Sequence, residues 1–192
     1  MGGGLSPRHW RMKRAVFLMS SALFCAAACR GKQSVDVHAL VADLESADAD
    51  KSGRARLRLI EIGEPAAVVL AERLQNGDTE AKQAAATALW GMGSKGRPAV
   101  PALATALADP DPDVRLAAAM ALGNMGADAA PAVPALIQAL TDQEGEVRSW
   151  AIKALGSIGA AASEALPALQ RATKSDPQRM SAEEAMMRIQ GR

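Results

Sequence analysis

One segment of this chain is written three times in succession at a constant step, and few folds accommodate such a pattern. Gly96-Arg-Pro-Ala-Val-Pro-Ala-Leu-Ala-Thr-Ala-Leu107 returns as Ala129-Ala-Pro-Ala-Val-Pro-Ala-Leu-Ile-Gln-Ala-Leu140, then as Ala162-Ser-Glu-Ala-Leu-Pro-Ala-Leu-Gln-Arg-Ala-Thr173. Leu89, Leu122 and Leu155 keep the same step, as do Gly93, Gly126 and Gly159, and Pro101, Pro134 and Pro167. A fixed period of this size marks units that cannot bury an apolar face alone and stack into a one-dimensional array. Such arrays bind more often than they catalyse.

Each unit reads as two short helices. In the clearest one, Asp111-Pro-Asp-Val-Arg115 places acidic residues and a proline where free amides and the helix dipole favour both. Leu116, Ala119, Met120 and Leu122 follow at spacings of three and four, and Gly123 and Gly126 are expected to stop the helix. The second helix opens near Pro131, runs through Val133, Leu136, Ile137 and Leu140, and ends before Thr141. Pro134 falls in its first turn, where a missing amide costs little. Upstream the step is slightly shorter, since Leu70 and Leu74 follow Leu40 and Leu44, and Leu89 follows Leu59. The pattern predicts helices over 36–47, 52–62, 65–75, 79–91, 98–108, 112–124, 131–141, 145–157, 163–173 and 178–189. Apolar residues make up 49% of the chain but aromatics only 3%, with no Tyr, so the core must be thin and built from Ala, Leu, Val and Met. Closely spaced helices in one domain fit that composition.

Asp113-Val-Arg-Leu-Ala-Ala-Ala-Met-Ala-Leu-Gly-Asn-Met-Gly126, its copy from Glu146 to Gly159 and a weaker one from Glu80 to Gly93 resemble HEAT repeats, of the short bacterial HEAT-like class also found in phycobilin lyases. The resemblance implies an all-α protein, a right-handed α-solenoid or α-α superhelix of about five hairpins over residues 36–192. Met180, Met186, Met187 and Ile189 replace the motif in the last helix, as in a capping element. In this family the second helix of each pair lines the concave surface. The resemblance therefore implies contacts to a protein or peptide partner from Glu72, Thr105, Gln138 and Arg171, with Gln75, Gln170 and Lys174 nearby. Trp90 stands where Gly occupies 123 and 156, and Trp150 where Ala occupies 84 and 117. Each is expected to fill space between units or, if exposed, to anchor a partner. Lys82, Arg115 and Arg148 share one position, and Glu80, Asp113 and Glu146 another. These rows read as salt bridges between repeats and helix caps, with an anion-binding strip as the alternative.

Residues 1–28 look like a targeting segment. Arg8, Arg11, Lys13 and Arg14 precede the apolar run from Ala15 to Phe24, which is too short for a membrane span. Ala26-Ala-Ala28 before Cys29 is similar to a bacterial lipoprotein signal, in which the Cys is lipidated and becomes the mature N-terminus. The expected organisation is a signal peptide over 1–28, a linker over 29–35 and a repeat domain over 36–192. The protein is then expected at the cell envelope, on the periplasmic or outer-membrane side, held to the membrane by its N-terminal lipid. An ordinary secretory signal cut near Ala28 is the alternative, and Met12 offers a second start. The segment 1–28 carries four of the 22 basic residues and none of the 21 acidic ones, so its removal takes the formal charge from +1 to −3. That balance gives nucleic-acid binding no electrostatic support.

Of the two His, His9 falls in the signal and only His38 remains. No Ser/His/Asp set, phosphate loop or His-Glu iron pair can be assembled, so no catalytic, metal or cofactor residue is expected. The expectation is a monomeric interaction scaffold and not an enzyme. An accessory or enzymatic subunit of the phycobilin lyase or deoxyhypusine hydroxylase branch is the alternative.

Overall fold

The computed structural model describes residues 36–172 and 179–191, and every regular element among them is helical. Contacts divide the chain into two units, Met1–Asp36 and Val37–Arg192. The signal segment, Cys29 and the linker lie outside the described residues, as does Lys174. Ten α-helices follow: α1 (Val37–Leu44), α2 (Ala49–Ile62), α3 (Glu64–Asn76), α4 (Thr79–Met92), α5 (Val100–Ala106), α6 (Pro112–Met125), α7 (Val133–Ala139), α8 (Gly145–Ile158), α9 (Leu166–Ala172) and α10 (Arg179–Ile189). Short 3-10 segments at Gly93–Ala99, Gly126–Ala132 and Gly159–Ala165 lead into α5, α7 and α9.

Side-chain caps set the helix starts. Asp111 Oδ1 accepts the amides of Asp113 and Val114 at 2.9 and 3.2 Å, with Pro112 in the first turn, and Asp78 accepts that of Ala81 at 2.9 Å. Asp48 does the same for Asp50 and Lys51, so α2 begins at Ala49, ahead of the apolar pattern that placed its start at 52. The first helix of each unit ends on Gly63, Gly93, Gly126 or Gly159, with φ of 78°, 53°, 58° and 72°. Side chains other than glycine's are strained in that region. Gly123 does not stop its helix as the sequence pattern suggests; α6 continues through it to Met125.

The second helices α5, α7 and α9 are shorter than expected because prolines govern their entry, whereas α3, with Pro65 in its first turn, spans slightly more than expected. Pro98 and Pro101 lack amides, so the α ladder cannot start before Val100, whose amide bonds the Arg97 carbonyl in the 3-10 manner. Pro131 and Pro134 repeat this one unit on, Pro167 alone stands at the entry of α9 where Glu164 takes the first proline's place, and α5, α7 and α9 each have seven α-helical residues.

Even-numbered helices stack in one layer, α4 on α6 on α8 on α10, and odd-numbered helices with their 3-10 leaders in the other. Between the layers lie two rows of fully buried leucines, Leu59, Leu89, Leu122 and Leu155 from the first and Leu70, Leu103, Leu136 and Leu169 from the second. Burial of each contributes on the order of 2 kcal/mol. Among the described residues the first helix, α1, belongs to the second layer and the last, α10, to the first, so the ten helices pair as four complete hairpins with a single helix on either side. The terminal helix keeps more of the motif than the sequence suggests. Ala185 and Ile189 answer to Ala151 and Leu155 of α8, and all four are buried. Each falls one position later than the repeat step would place it, so a single insertion before α10 hides the register.

Candidate docking surface

No described side chain that is both polar and buried exists in this core, and no His, Cys, Asp and Glu group could hold a metal ion among the described residues. Polar chemistry is therefore confined to surfaces and inter-repeat junctions.

At the junctions, Lys82 Nζ meets Asp109 at 2.8 Å, and Arg115 grips Asp142 of the next unit through Nε and a terminal nitrogen at 2.8 and 3.0 Å. The other end of Arg115 donates to the carbonyls of Asp109 and Pro110, and Arg148 repeats this on the carbonyls of Asp142 and Gln143. Lys82 and Arg115 thus form the expected salt bridges between repeats, with the loop residues Asp109 and Asp142 as partners, whereas Arg148 bonds only carbonyls of the loop before its own helix. Glu80, Asp113 and Glu146 instead stand exposed in the first turns of α4, α6 and α8, where the helix dipole favours them. Burial pushes the Asp142 carboxyl up, but the hydrogen bonds from Arg115 and the Glu144 amide, with the charges of Arg115 and Arg148, outweigh it and hold the group below its usual range. Asp109 is likewise held low against its burial by Lys82, the Asp111 amide and Arg115. Arg115, engaged on loop carbonyls and a carboxylate at once, keeps little for an external anion.

Glu72, Thr105, Gln138 and Arg171 all stand exposed, one on each of α3, α5, α7 and α9. Thr105 and Arg171 donate to the carbonyls of Pro101 and Pro167, at 3.1 and 3.3 Å. Beside this row run two others that the sequence pattern marks only as helix starters. Val68, Pro101, Pro134 and Pro167 are exposed at the repeat step, as are Pro65, Pro98 and Pro131, followed by Glu164. The proline periodicity was visible in the sequence; its exposure was not. A cleft of about 420 Å³ opens among these rows, lined by Glu64, Arg97, Pro98, Val100, Pro101, Asp128 and Pro131. One face of the second layer is thus a rigid apolar strip edged by a varied polar row.

Trp90 and Trp150 are not on that face. Both belong to the first layer, on α4 and α8. Trp90 is 42% exposed, against the expectation that it fills space between units, while its carbonyl accepts the Asn124 side-chain amide at 2.6 Å. The Gly at its equivalent in α6, Gly123, lies against the next helix, where a Cβ would sit 3.5 Å from Ala154; an indole there is too large to be enclosed. Trp150 is half-buried on the core with Lys153 Nζ 4.5 Å from its ring centre. The expected contact set therefore splits into a row that stays together and two tryptophans apart from it.

Among solved structures, the chain is similar to the complex of CpcE and CpcF of phycocyanin lyase from Nostoc sp. PCC7120, with TM-score 0.64 and 21% identity over 79% of this chain and 96% of that one. A designed armadillo repeat protein in complex with the peptide (KR)4 gives TM-score 0.61 and 20% identity over 78% and 80%. The archaeal HEAT-like repeats protein from Thermococcus onnurineus NA1 gives TM-score 0.58 and 15% identity over 83% and 67%. At these identities the likeness speaks for the solenoid fold. No curated protein matches. The HEAT-repeat family profile, however, matches residues 67–133 and 129–187, well over half of the chain, and the chain belongs to the HEAT-repeat family.

Proposed function

We propose that this protein is a non-enzymatic docking scaffold of the bacterial cell envelope, lipid-anchored through Cys29, which takes an extended protein segment along the exposed face of α3, α5, α7 and α9. The observation that carries the reading is the pair of exposed proline and valine rows beside Glu72, Thr105, Gln138 and Arg171. A rigid strip presents apolar area without losing side-chain freedom on binding, and the polar row supplies selectivity. The peptide held by the designed armadillo neighbour supports the same use of a like fold. The short stretch between Cys29 and Asp36 reaches about 20 Å if extended, which keeps the solenoid near the membrane.

Affinity capture from membranes, followed by mass spectrometry, tests the docking. Joint alanine substitution at Glu72, Gln138 and Arg171 is expected to abolish recovery of the partner with the helical content unchanged. Recovery undiminished by these changes assigns the docking to another face. Palmitate labelling tests the anchor and is expected to vanish in Cys29→Ser; the same fractionation of wild type and variant argues for a cleaved secretory signal.

The likeness to the lyase complex favours a second reading, an accessory subunit acting on a chromophore-bearing protein. Mixing the purified chain with bilins and finding a shifted absorption band would establish it.

A further inference from the structure

One feature of the second-layer surface has the form to select a ligand side chain. Between α1 and α3, at the Glu72 end of the polar row, opens a cleft of about 320 Å³. Val41, Ala42 and Val69 form its apolar wall, and His38, Glu45, Glu72, Arg73 and Asn76 its polar edge. Arg73 donates to both oxygens of Glu45, at 2.6 and 2.7 Å, so that guanidinium is committed. Glu72 has no hydrogen bond or ion pair among the described residues, and with Glu45 it sets two carboxylates on this edge against the one guanidinium of Arg73, with the imidazole of His38 beside them. The volume is at the small end for ligand sites and suits a single side chain better than a cofactor.

We infer that this cleft receives a Lys or Arg side chain of the docked segment, its aliphatic stem on Val41, Ala42 and Val69 and its cation at Glu72. The inference rests on the docking reading above and adds the chemistry and direction of the partner. Long basic side chains bury their stems on apolar surface while the charged end keeps a polar partner, which is the combination this cleft supplies. The row then runs through the neutral Thr105 and Gln138 to Arg171, which is exposed and donates through Nε to the Pro167 carbonyl. The surface is therefore electrically polar along its length, and a complementary segment carries its basic residue at the α1–α3 end and a carboxylate toward α9. Neighbouring helices in a layer stand about 8–10 Å apart, so the four stations span roughly 30 Å, or about nine extended residues.

A display library of random nonapeptides, panned on the full-length purified protein, tests this. Selected peptides are expected to share a Lys or Arg near one end, and their affinity to fall about tenfold in Glu72→Gln. Glu72→Lys should select peptides with an acidic residue at that position instead. Glu72 is exposed, so melting curves of both variants are expected to match wild type. Peptides without a basic preference, or the same preference in Glu72→Lys, would overturn the cleft assignment. If binding is lost in Gln138→Trp while both Glu72 variants bind normally, the docking face stands and the cleft falls. If no peptide is selected, or if binding survives all three changes, both fall together.

Discussion

Helices α2 and α6 have the same length, 14 residues, start on an Asp cap and end on a positive-φ glycine, yet they are held by different means. In α6 six residues are buried, Ala154 of the next helix lies against Gly123, and Arg115 ties the loop before α6 to Asp142 of the next unit. In α2 only Ala55 and Leu59 are buried, Leu57 is 64% exposed, and Ser52 occupies the position of the Arg clamp, bonding no further than the Ala49 carbonyl. Ala88, Ala121 and Ala154 share one buried position of the repeat, and Ala154 lies against Gly123 of the preceding first-layer helix; α2 has Arg58 in that position, exposed and paired with Glu61 at 2.7 Å. The far end is treated alike, with exposed Gln190 of α10's last turn answering to Gly156 of α8. Periodic leucines alone therefore do not define a stacked unit. Small residues that let helices approach and a basic residue that bridges to the next loop propagate the stack, and charged or polar residues in the same places end it.

The sharpest way to break this comparison is to cut one buried leucine from each region. Leu122→Ala should cost about 3 kcal/mol of global stability, because its surroundings are packed on both sides and cannot collapse into the space. Leu59→Ala removes an equally buried side chain but from a helix with little else to lose. It should chiefly accelerate hydrogen exchange in α1 and α2 while α6 amides keep their protection. Equal protection of α2 and α6 in the wild-type chain would show that the end unit is as firmly integrated as the interior.

The two bidentate ion pairs sharpen the comparison further. Asp142→Ala leaves Arg115 without its partner at a junction where the pair is 14% and 9% exposed, and should cost about 2 kcal/mol in urea unfolding. Glu45→Ala breaks the Arg73 pair of the first unit, which is 38% and 27% exposed, and should cost less than about 1 kcal/mol. The interior pairs also predict an acid dependence. Asp109 and Asp142 have folded pKa values below those of the unfolded chain, so their contribution is complete above about pH 4 and is lost as the pH falls below that, toward their lowered values. In Asp142→Asn the melting temperature should fall less steeply over that acid range than in wild type. An unchanged slope would mean that the carboxylate adds nothing to the junction.

Much of this was legible in the sequence because the constant step repeats both the leucines and the glycines. The Gly93, Gly126 and Gly159 turns and the Asp111 cap follow from local backbone chemistry, which sequence carries directly. What escaped was set by neighbours. Asp109 and Asp142 were hidden because a clamp that reaches into the next unit has no local signature. Pro101 and Pro134 showed their effect on the helix start but not which way their rings face. Trp90 and Gly123 share one position of the repeat, and whether the indole is enclosed depends on how closely α6 approaches α4. Glu72 was chosen for its place in a row, while the cleft beside it depends on α1, whose contribution a repeat alignment does not describe.

The smallest expected effect separates the two close approaches within the regular region. Gly123 and Gly156 share a place in the repeat, and both lie inside helices, where alanine is favoured over glycine by roughly 0.5–1 kcal/mol. A Cβ on Gly123 would meet Ala154 at 3.5 Å, an ordinary contact, so Gly123→Ala should gain most of that amount. On Gly156 it would lie 3.1 Å from both Cα and Cβ of Ala185, so α10 must yield by a few tenths of an ångström. That helix packs on α8 and α9 and on no further first-layer helix among the described residues, and its movement should absorb the clash at about the cost of the propensity gain, leaving Gly156→Ala near neutral. Paired urea titrations measure the difference directly. A gain in both variants would mean that the end of the stack is loose enough to take the methyl group freely, and a loss in both would mean that the Gly123 contact is as tight as the one that seats the cap.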